Sequence, residues 1–230
     1  AVHRLDLRRY TLHTKVVLFT TAFLLAGSTA LFYILEAEAS FAGMSVPQLL
    51  LAAFFQAVTP RTAGFNAVDL TQLSESGALL TMLLMLVGAS PGSTGGGMKL
   101  TTVAVMVMAV SAHLRRRSDV DLFSRRVEPE TVRKAFCNAL FYVGLMLAAS
   151  FVILAVQSEL LMKDVFFECI SAIGTVGLST GITRDLVPLS KVLVLLLMYA
   201  GRVGSVTVFI AVSRKKTGKL RNPVEHVIIG

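Results

Sequence analysis

Thr62-Ala63-Gly64-Phe65-Asn66 and Thr175-Val176-Gly177-Leu178-Ser179 stand 113 residues apart, and each closes an apolar run too short to cross a bilayer. The runs are Pro47 to Thr59 and Val165 to Ile173. Each is about half of the roughly 20 residues that a membrane helix needs. Longer apolar segments flank them: Val16 to Leu35, Ala78 to Ala112, Ala135 to Val156 and Leu189 to Val212. A half-span must enter the bilayer and stop inside it. Non-helical backbone at that depth is tolerated only where protein buries it or it lines a wet cavity. Span, half-span, glycine string and span occur twice. They predict an all-α membrane protein made of two tandem helix–pore-loop–helix repeats.

Composition agrees. Of 230 residues, 54% are hydrophobic and 16% charged, and mean hydropathy is +0.72, which favours the membrane class over a soluble domain. The net charge of +8 could suggest a nucleic-acid partner, but its placement argues for none. Sixteen of the 22 Lys and Arg fall in Arg4 to Lys15, Arg115 to Lys134 and Arg214 to Arg221, all flanking spans. Basic residues collect on the cytoplasmic side of membrane proteins. Both termini of this segment and its central linker are therefore expected inside. The opposite loops, with Glu36, Glu38, Asp69, Glu75, Glu159, Asp164 and Asp185, are expected outside. Cys137 and Cys169 lie in apolar segments and read as small buried hydrophobes. Pro47 suits a first helical turn, and Asp164 suits an N-cap.

A shift of 113 residues aligns the halves without a gap. Thr62 falls on Thr175, Gly64 on Gly177, Phe54 on Phe167 and Gly88 on Gly201. The expected units are a first repeat, 1–112; a basic cytoplasmic linker, 113–134; a second repeat, 135–213; and a cytoplasmic tail, 214–230.

A cation leaving water needs its hydration shell replaced, and converging backbone carbonyls can do this. Glycine allows the φ values that turn carbonyls inward. A half-helix ending at the same place adds its negative pole. The candidate filter residues are Thr62, Ala63, Gly64, Phe65 and Asn66 with Thr175, Val176, Gly177, Leu178 and Ser179. The ion ligands are the carbonyls of Thr62, Ala63, Gly64, Thr175, Val176 and Gly177. Close helix packing is the plainer use of such glycines. Two in register, each after a half-span, favour the filter.

Val58-Thr59-Pro60-Arg61-Thr62-Ala63-Gly64-Phe65-Asn66 and Gly174-Thr175-Val176-Gly177-Leu178-Ser179 resemble the third and fourth pore loops of the Trk/Ktr/HKT superfamily. The terminal Val227-Ile228-Ile229-Gly230 resembles the ending of bacterial Ktr membrane subunits. The resemblance covers essentially the whole chain. It implies potassium-channel-like repeats and potassium uptake across the bacterial plasma membrane, with sodium left open and no organic cofactor. It further implies a homodimer on a cytosolic ring of nucleotide-binding regulatory subunits. Arg115, Arg116, Arg117, Lys215 and Lys216 are candidate docking residues for that ring, and the tail a candidate dimer contact. The family has four repeats and this chain has two. Either two more repeats lie upstream of Ala1, which is the expectation, or two copies pair.

Gly88-Ala89-Ser90-Pro91-Gly92-Ser93-Thr94-Gly95-Gly96-Gly97-Met98-Lys99 interrupts the second span. Glycine and proline there remove helix hydrogen bonds. The resemblance assigns this stretch to an intramembrane gate, with Gly92, Ser93, Thr94, Gly95, Gly96, Gly97, Lys99 and Arg202 as its residues. The plainer reading is a passive kink with Lys99 snorkelling inward. A phosphate-binding loop is disfavoured, because Met98 stands where its lysine belongs and no strand precedes it. Arg202, also mid-span, either tunes the cation barrier, holds the gating loop by its carbonyls, or pairs with helix carbonyls or Glu168.

No metal-ligand spacing joins His3, His13, His113 and His226, and no catalytic set is suggested, so the chain is not expected to be an enzyme. A secondary cation symporter with broken helices and a midplane site is the alternative transporter. Such folds often carry inverted repeats, whereas these repeats share one orientation. A receptor or assembly subunit would leave both glycine loops without a purpose.

Overall fold

The computed structural model describes residues 10–117, 119–123 and 125–204. Seven α-helices follow in order: α1 Leu12–Glu36, α2 Val46–Val58, α3 Glu75–Leu86, α4 Leu100–Leu114, α5 Pro129–Val156, α6 Met162–Gly174 and α7 Pro188–Val203. Short 3-10 turns lie at Leu70–Gln72 and Ile182–Arg184. The tail 214–230, with Lys215 and Lys216, and the end of the fourth expected span lie outside the described residues.

Among the described residues, two helices, α1 and α5, are long and apolar enough to cross a membrane. At 1.5 Å per residue the 25 residues of α1 reach roughly 37 Å. The half-spans form α2 and α6, each 13 residues. Pro47 sits in the first turn of α2, and Gln48 Oε1 accepts from both the N–H and the hydroxyl of Ser45. Asp164 is not the N-cap of α6. Leu161 holds that position, and Asp164 lies in the first turn, where it meets the positive pole of the helix. The second expected span is two helices, α3 and α4, separated by the glycine-rich stretch.

The described residues are predominantly helical, but the linker also forms a short paired strand. Asp121–Leu122 (β1) pairs antiparallel with Arg125–Arg126 (β2). Leu122 buries itself with Val16, Ala104, Val105 and Ala135, and Phe123 meets Phe19 edge to face at 6.0 Å. The linker is thus partly docked, and α5 starts at Pro129, six residues before the expected Ala135.

Packing joins the halves through α3 against α6 and α4 against α5. The largest buried cluster crosses this seam, with Met85 of α3 among Tyr142, Met146, Phe167, Ile170 and Ile173. Phe19, Phe23, Ile34, Leu51, Leu140, Phe151, Leu195 and Tyr199 stay exposed, as on a lipid-facing surface. Cys169 is buried as expected; Cys137 is exposed on α5 and is not a core residue.

Each half also has an internal polar tie from the end of its first helix to the start of its second span. Glu36, fully buried at the end of α1, accepts from the Ser74 N–H at 3.2 Å and hydroxyl at 2.5 Å, where Ser74 caps α3. Gln157, at the end of α5, accepts from the N–H of Val187, the cap of α7, at 2.9 Å. Ser74 and Val187 are themselves 113 residues apart. An acceptor here satisfies an amide that the helix start leaves unpaired.

Candidate functional site

The two glycine strings meet. Each follows a half-helix, and the α2 chain continues past Val58 through further turns, with Ala63 and Gly64 N–H groups both donating to the Thr59 carbonyl. Positive φ then falls on alternate residues: Thr62 at 71° and Gly64 at 72°, Thr175 at 52° and Gly177 at 90°. The pattern is the same in both strings at the same 113-residue spacing. Positive φ is costly for a β-branched threonine, so its recurrence at Thr62 and Thr175 means that the surroundings impose it.

Gly64 lies directly against the Val176 carbonyl, where an added Cβ would overlap the oxygen. The strings are therefore neighbours in space, loop on loop. Their side chains differ in anchorage. Val176 and Leu178 are buried in the main core cluster, whereas Ala63, Phe65 and Asn66 are exposed. Gly177 has nothing within 4 Å of an added Cβ and so borders open space.

The stretch from Gly88 to Met98 is a closed loop. The Gly88 N–H donates to the Met98 carbonyl at 2.7 Å, and the Leu100 N–H to the Ala89 carbonyl at 3.3 Å, so α4 resumes near where α3 stopped. Positive φ at Gly92 and Gly97 turns the chain. The loop tip touches both strings. The Gly96 N–H donates to the Thr175 hydroxyl at 2.8 Å, and Gly95 packs against the Thr62 side chain. Gly96 also lies close to the Gly201 carbonyl, and Gly97 to Gly174. Only glycines fit these contacts.

Both mid-span cations hold this loop. The Lys99 ammonium donates back to the Gly95 carbonyl at 2.6 Å, and the Arg202 guanidinium donates to the Thr94 carbonyl. Lys99 therefore turns back onto the loop rather than snorkelling inward. Glu168 does not partner Arg202; its carboxylate accepts from the Ser179 and Thr183 hydroxyls. Arg115, Arg116 and Arg117 lie exposed after α4. Among gate residues, Gly92 has nothing within 4 Å of an added Cβ, and the Ser93 N–H donates within the loop to the Ser90 carbonyl.

Sequence reasoning missed Thr59, Glu36 and Gln157, and the partner it offered Glu168 was Arg202 rather than Ser179 and Thr183. A lone carboxylate inside an apolar half-helix, as Glu168 is, was the available signal. Thr59 carried none, because a threonine at a helix end is ordinary.

Comparison with known proteins places the chain. The TrkH family, described as a cation transport protein, matches residues 9–220. Ktr system potassium uptake protein B of Vibrio alginolyticus is 37% identical over 221 residues, which cover 95% of this chain and 48% of that protein. The potassium/sodium uptake protein NtpJ of Enterococcus hirae is 35% identical over 97% of this chain and 51% of its own length. Ktr system potassium uptake protein B of Bacillus subtilis is 34% identical, covering 97% and 50%. The chain thus spans about half the length of these curated relatives. The crystal structure of the potassium transporter TrkH from Vibrio parahaemolyticus superposes with a TM-score of 0.73 at 18% identity, over 87% of this chain and 45% of that one, which shows a shared fold. These relatives are transporters and not enzymes. The chain belongs to the TrkH family of cation transport proteins.

Proposed function

We propose that this chain takes up potassium across the bacterial plasma membrane through a channel-like pore with re-entrant filter loops and an intramembrane gate. One observation carries the reading. Paired Thr and Gly of positive φ recur at a 113-residue spacing, face each other across the halves, and have the glycine loop docked against both threonines. The carbonyls of Thr62, Ala63, Gly64, Thr175, Val176 and Gly177 coordinate the dehydrated ion, with the C-terminal poles of α2 and α6 nearby. The loop blocks passage while Lys99 and Arg202 hold it and repel cations.

In this reading residues 1–112 and 135–213 are two helix–pore-loop–helix repeats, and two further repeats complete the ring. Both ends of the segment lie in the cytoplasm. The membrane subunit forms a homodimer on a cytosolic nucleotide-binding ring, whose acidic surfaces engage Arg115, Arg116 and Arg117. The names of the relatives support potassium as cargo, and the Enterococcus protein keeps sodium as a second one.

Rubidium uptake by proteoliposomes holding the complete four-repeat protein, this segment together with the two further repeats, tests the function. Potassium-competed, saturable rubidium flux that persists without sodium is the expected result. No flux overturns the reading. Flux strictly coupled to sodium in a fixed ratio replaces it with a symporter that uses a midplane site.

A further inference from the structure

Behind each glycine string, a buried polar side chain of the preceding half-helix region grips the outgoing chain. Thr59 is 1% exposed just beyond α2. Its hydroxyl donates to the Phe65 carbonyl at 2.6 Å and accepts from the Phe65 N–H at 3.0 Å. Glu168 is 7% exposed within α6. One carboxylate oxygen accepts from the Ser179 hydroxyl at 2.7 Å and the other from the Thr183 hydroxyl at 2.5 Å. The Ser179 hydroxyl in turn accepts from the Gly181 N–H at 3.0 Å.

The two grips are not copies. Under the 113-residue shift, Thr59 falls on Ala172 and Glu168 on Phe55. A duplicated backbone is held by unduplicated side chains. Their effect on the filter follows from peptide geometry. The Phe65 N–H shares a planar trans peptide with the Gly64 carbonyl, so the two point in opposite directions. Binding that N–H rearward to Thr59 directs the Gly64 oxygen forward. Glu168 fixes the chain that leaves Gly177 by holding Ser179 and Thr183 together, 3.0 Å apart.

We infer that Thr59 and Glu168 are positioning residues that set the preference of the pore for potassium over sodium. The inference rests on the pore reading. Preference for the larger ion needs carbonyls kept at a set number and distance. A string released from behind follows the smaller ion inward and loses discrimination. A buried carboxylate is also retained here at a desolvation cost that only a specific partner set offsets.

The test is the rubidium-to-sodium flux ratio of the complete four-repeat protein in proteoliposomes. Thr59→Val and Glu168→Leu keep shape and remove the grips, and the ratio falls about tenfold. Glu168→Asp keeps the charge but is one methylene shorter, and it lowers the ratio by about fivefold. Thr59→Ser and Glu168→Gln, which retain a hydroxyl and an acceptor, stay within about twofold of wild type. Where Thr59→Val or Glu168→Leu does not assemble, Glu168→Asp decides, together with the potassium-over-sodium difference in thermal midpoint measured in detergent. An unchanged ratio in conducting Thr59→Val, or in Glu168→Asp, overturns the inference while wild-type rubidium flux leaves the pore reading standing. Absence of wild-type flux removes the pore reading itself.

Discussion

The backbone N–H of Gly96 donates to the side-chain hydroxyl of Thr175 across 2.8 Å, joining residues 79 apart in the chain. One partner belongs to the glycine loop and the other to the second filter string. The threonine thus has two separate uses in the pore reading: its carbonyl faces the ion, and its hydroxyl latches the gate.

Thr175→Val removes the latch and keeps the β-branched shape at positive φ. One lost hydrogen bond of about 1 kcal/mol makes loop release about fivefold more frequent. Resting rubidium flux should rise by that order, and Thr175→Ser should stay at the wild-type level. Unchanged flux in Thr175→Val counts against the latch.

Gly96→Ala places a methyl group into the Thr175 side chain and beside the Gly201 carbonyl. The loop then cannot seat, and resting flux rises more than in Thr175→Val. Gly92→Ala meets no neighbour within 4 Å and is strained only by its φ of 87°. Its cost is about 1 kcal/mol, carried within the loop. Side-by-side flux assays of the two variants separate docking from backbone strain; equal effects sink the docking account.

Arg202→Gln and Lys99→Met each remove a cation that holds the loop by a carbonyl, Thr94 or Gly95. Each should raise resting flux several-fold, a change of about 1 to 2 kcal/mol. Because both act on adjacent loop residues, the double variant should fall short of the product of the singles. A purely multiplicative result would mean that the cations act as independent barrier charges instead.

Glu36→Ala leaves the Ser74 N–H, the Ser74 hydroxyl and the Ser40 hydroxyl without their shared acceptor. The expected loss is about 3 kcal/mol of stability, read as a lowered thermal midpoint in detergent. Gly77→Ala drives a methyl group into the same carboxylate, and its effect should overlap with that of Glu36→Ala. Additive losses would place the two defects at separate sites.

Asp69 caps the Leu70–Gln72 turn, and hydrogen bonds first from the Thr71 hydroxyl and then from the Thr71 N–H hold its carboxyl below the usual aspartate range. A lowered folded-state pKa gives stability that is present above the ordinary aspartate value, about 3.9. That contribution is lost as pH falls through the folded value. Wild type should exceed Asp69→Asn in thermal midpoint at neutral pH, and the two should converge in acid. A gap that persists after the carboxylate is protonated in acid would show that the turn does not depend on the charge.

The helices were legible in the chain because their signals are local. Apolar run length and the placing of Pro47 marked α2, expected over Pro47 to Thr59 and observed at Val46–Val58. The glycine run from Gly92 to Gly97 announced the break between α3 and α4 without giving the contacts of its tip. The paired strands Asp121–Leu122 and Arg125–Arg126 were missed because two-residue strands carry no periodicity, and tertiary contacts such as the burial of Leu122 and the Phe123–Phe19 packing hold them in place.

By itself, the sequence determined the membrane class, the duplication and the two strings, because hydropathy, spacing and glycine content act within a few turns of chain. Tertiary structure alone decided which groups bind each other over 38 to 108 residues: Glu36 with Ser74, Gly96 with Thr175, Lys163 with Glu75, and Arg202 with Thr94. Thr59 and Glu168 reach partners only 6 to 15 residues away, yet packing chose those partners too. Hydrogen bonding is short-ranged and directional, so a buried polar side chain takes the partner that packing brings within about 3 Å. No residue pattern in the two halves foretold that one string is held by a hydroxyl and the other by a carboxylate.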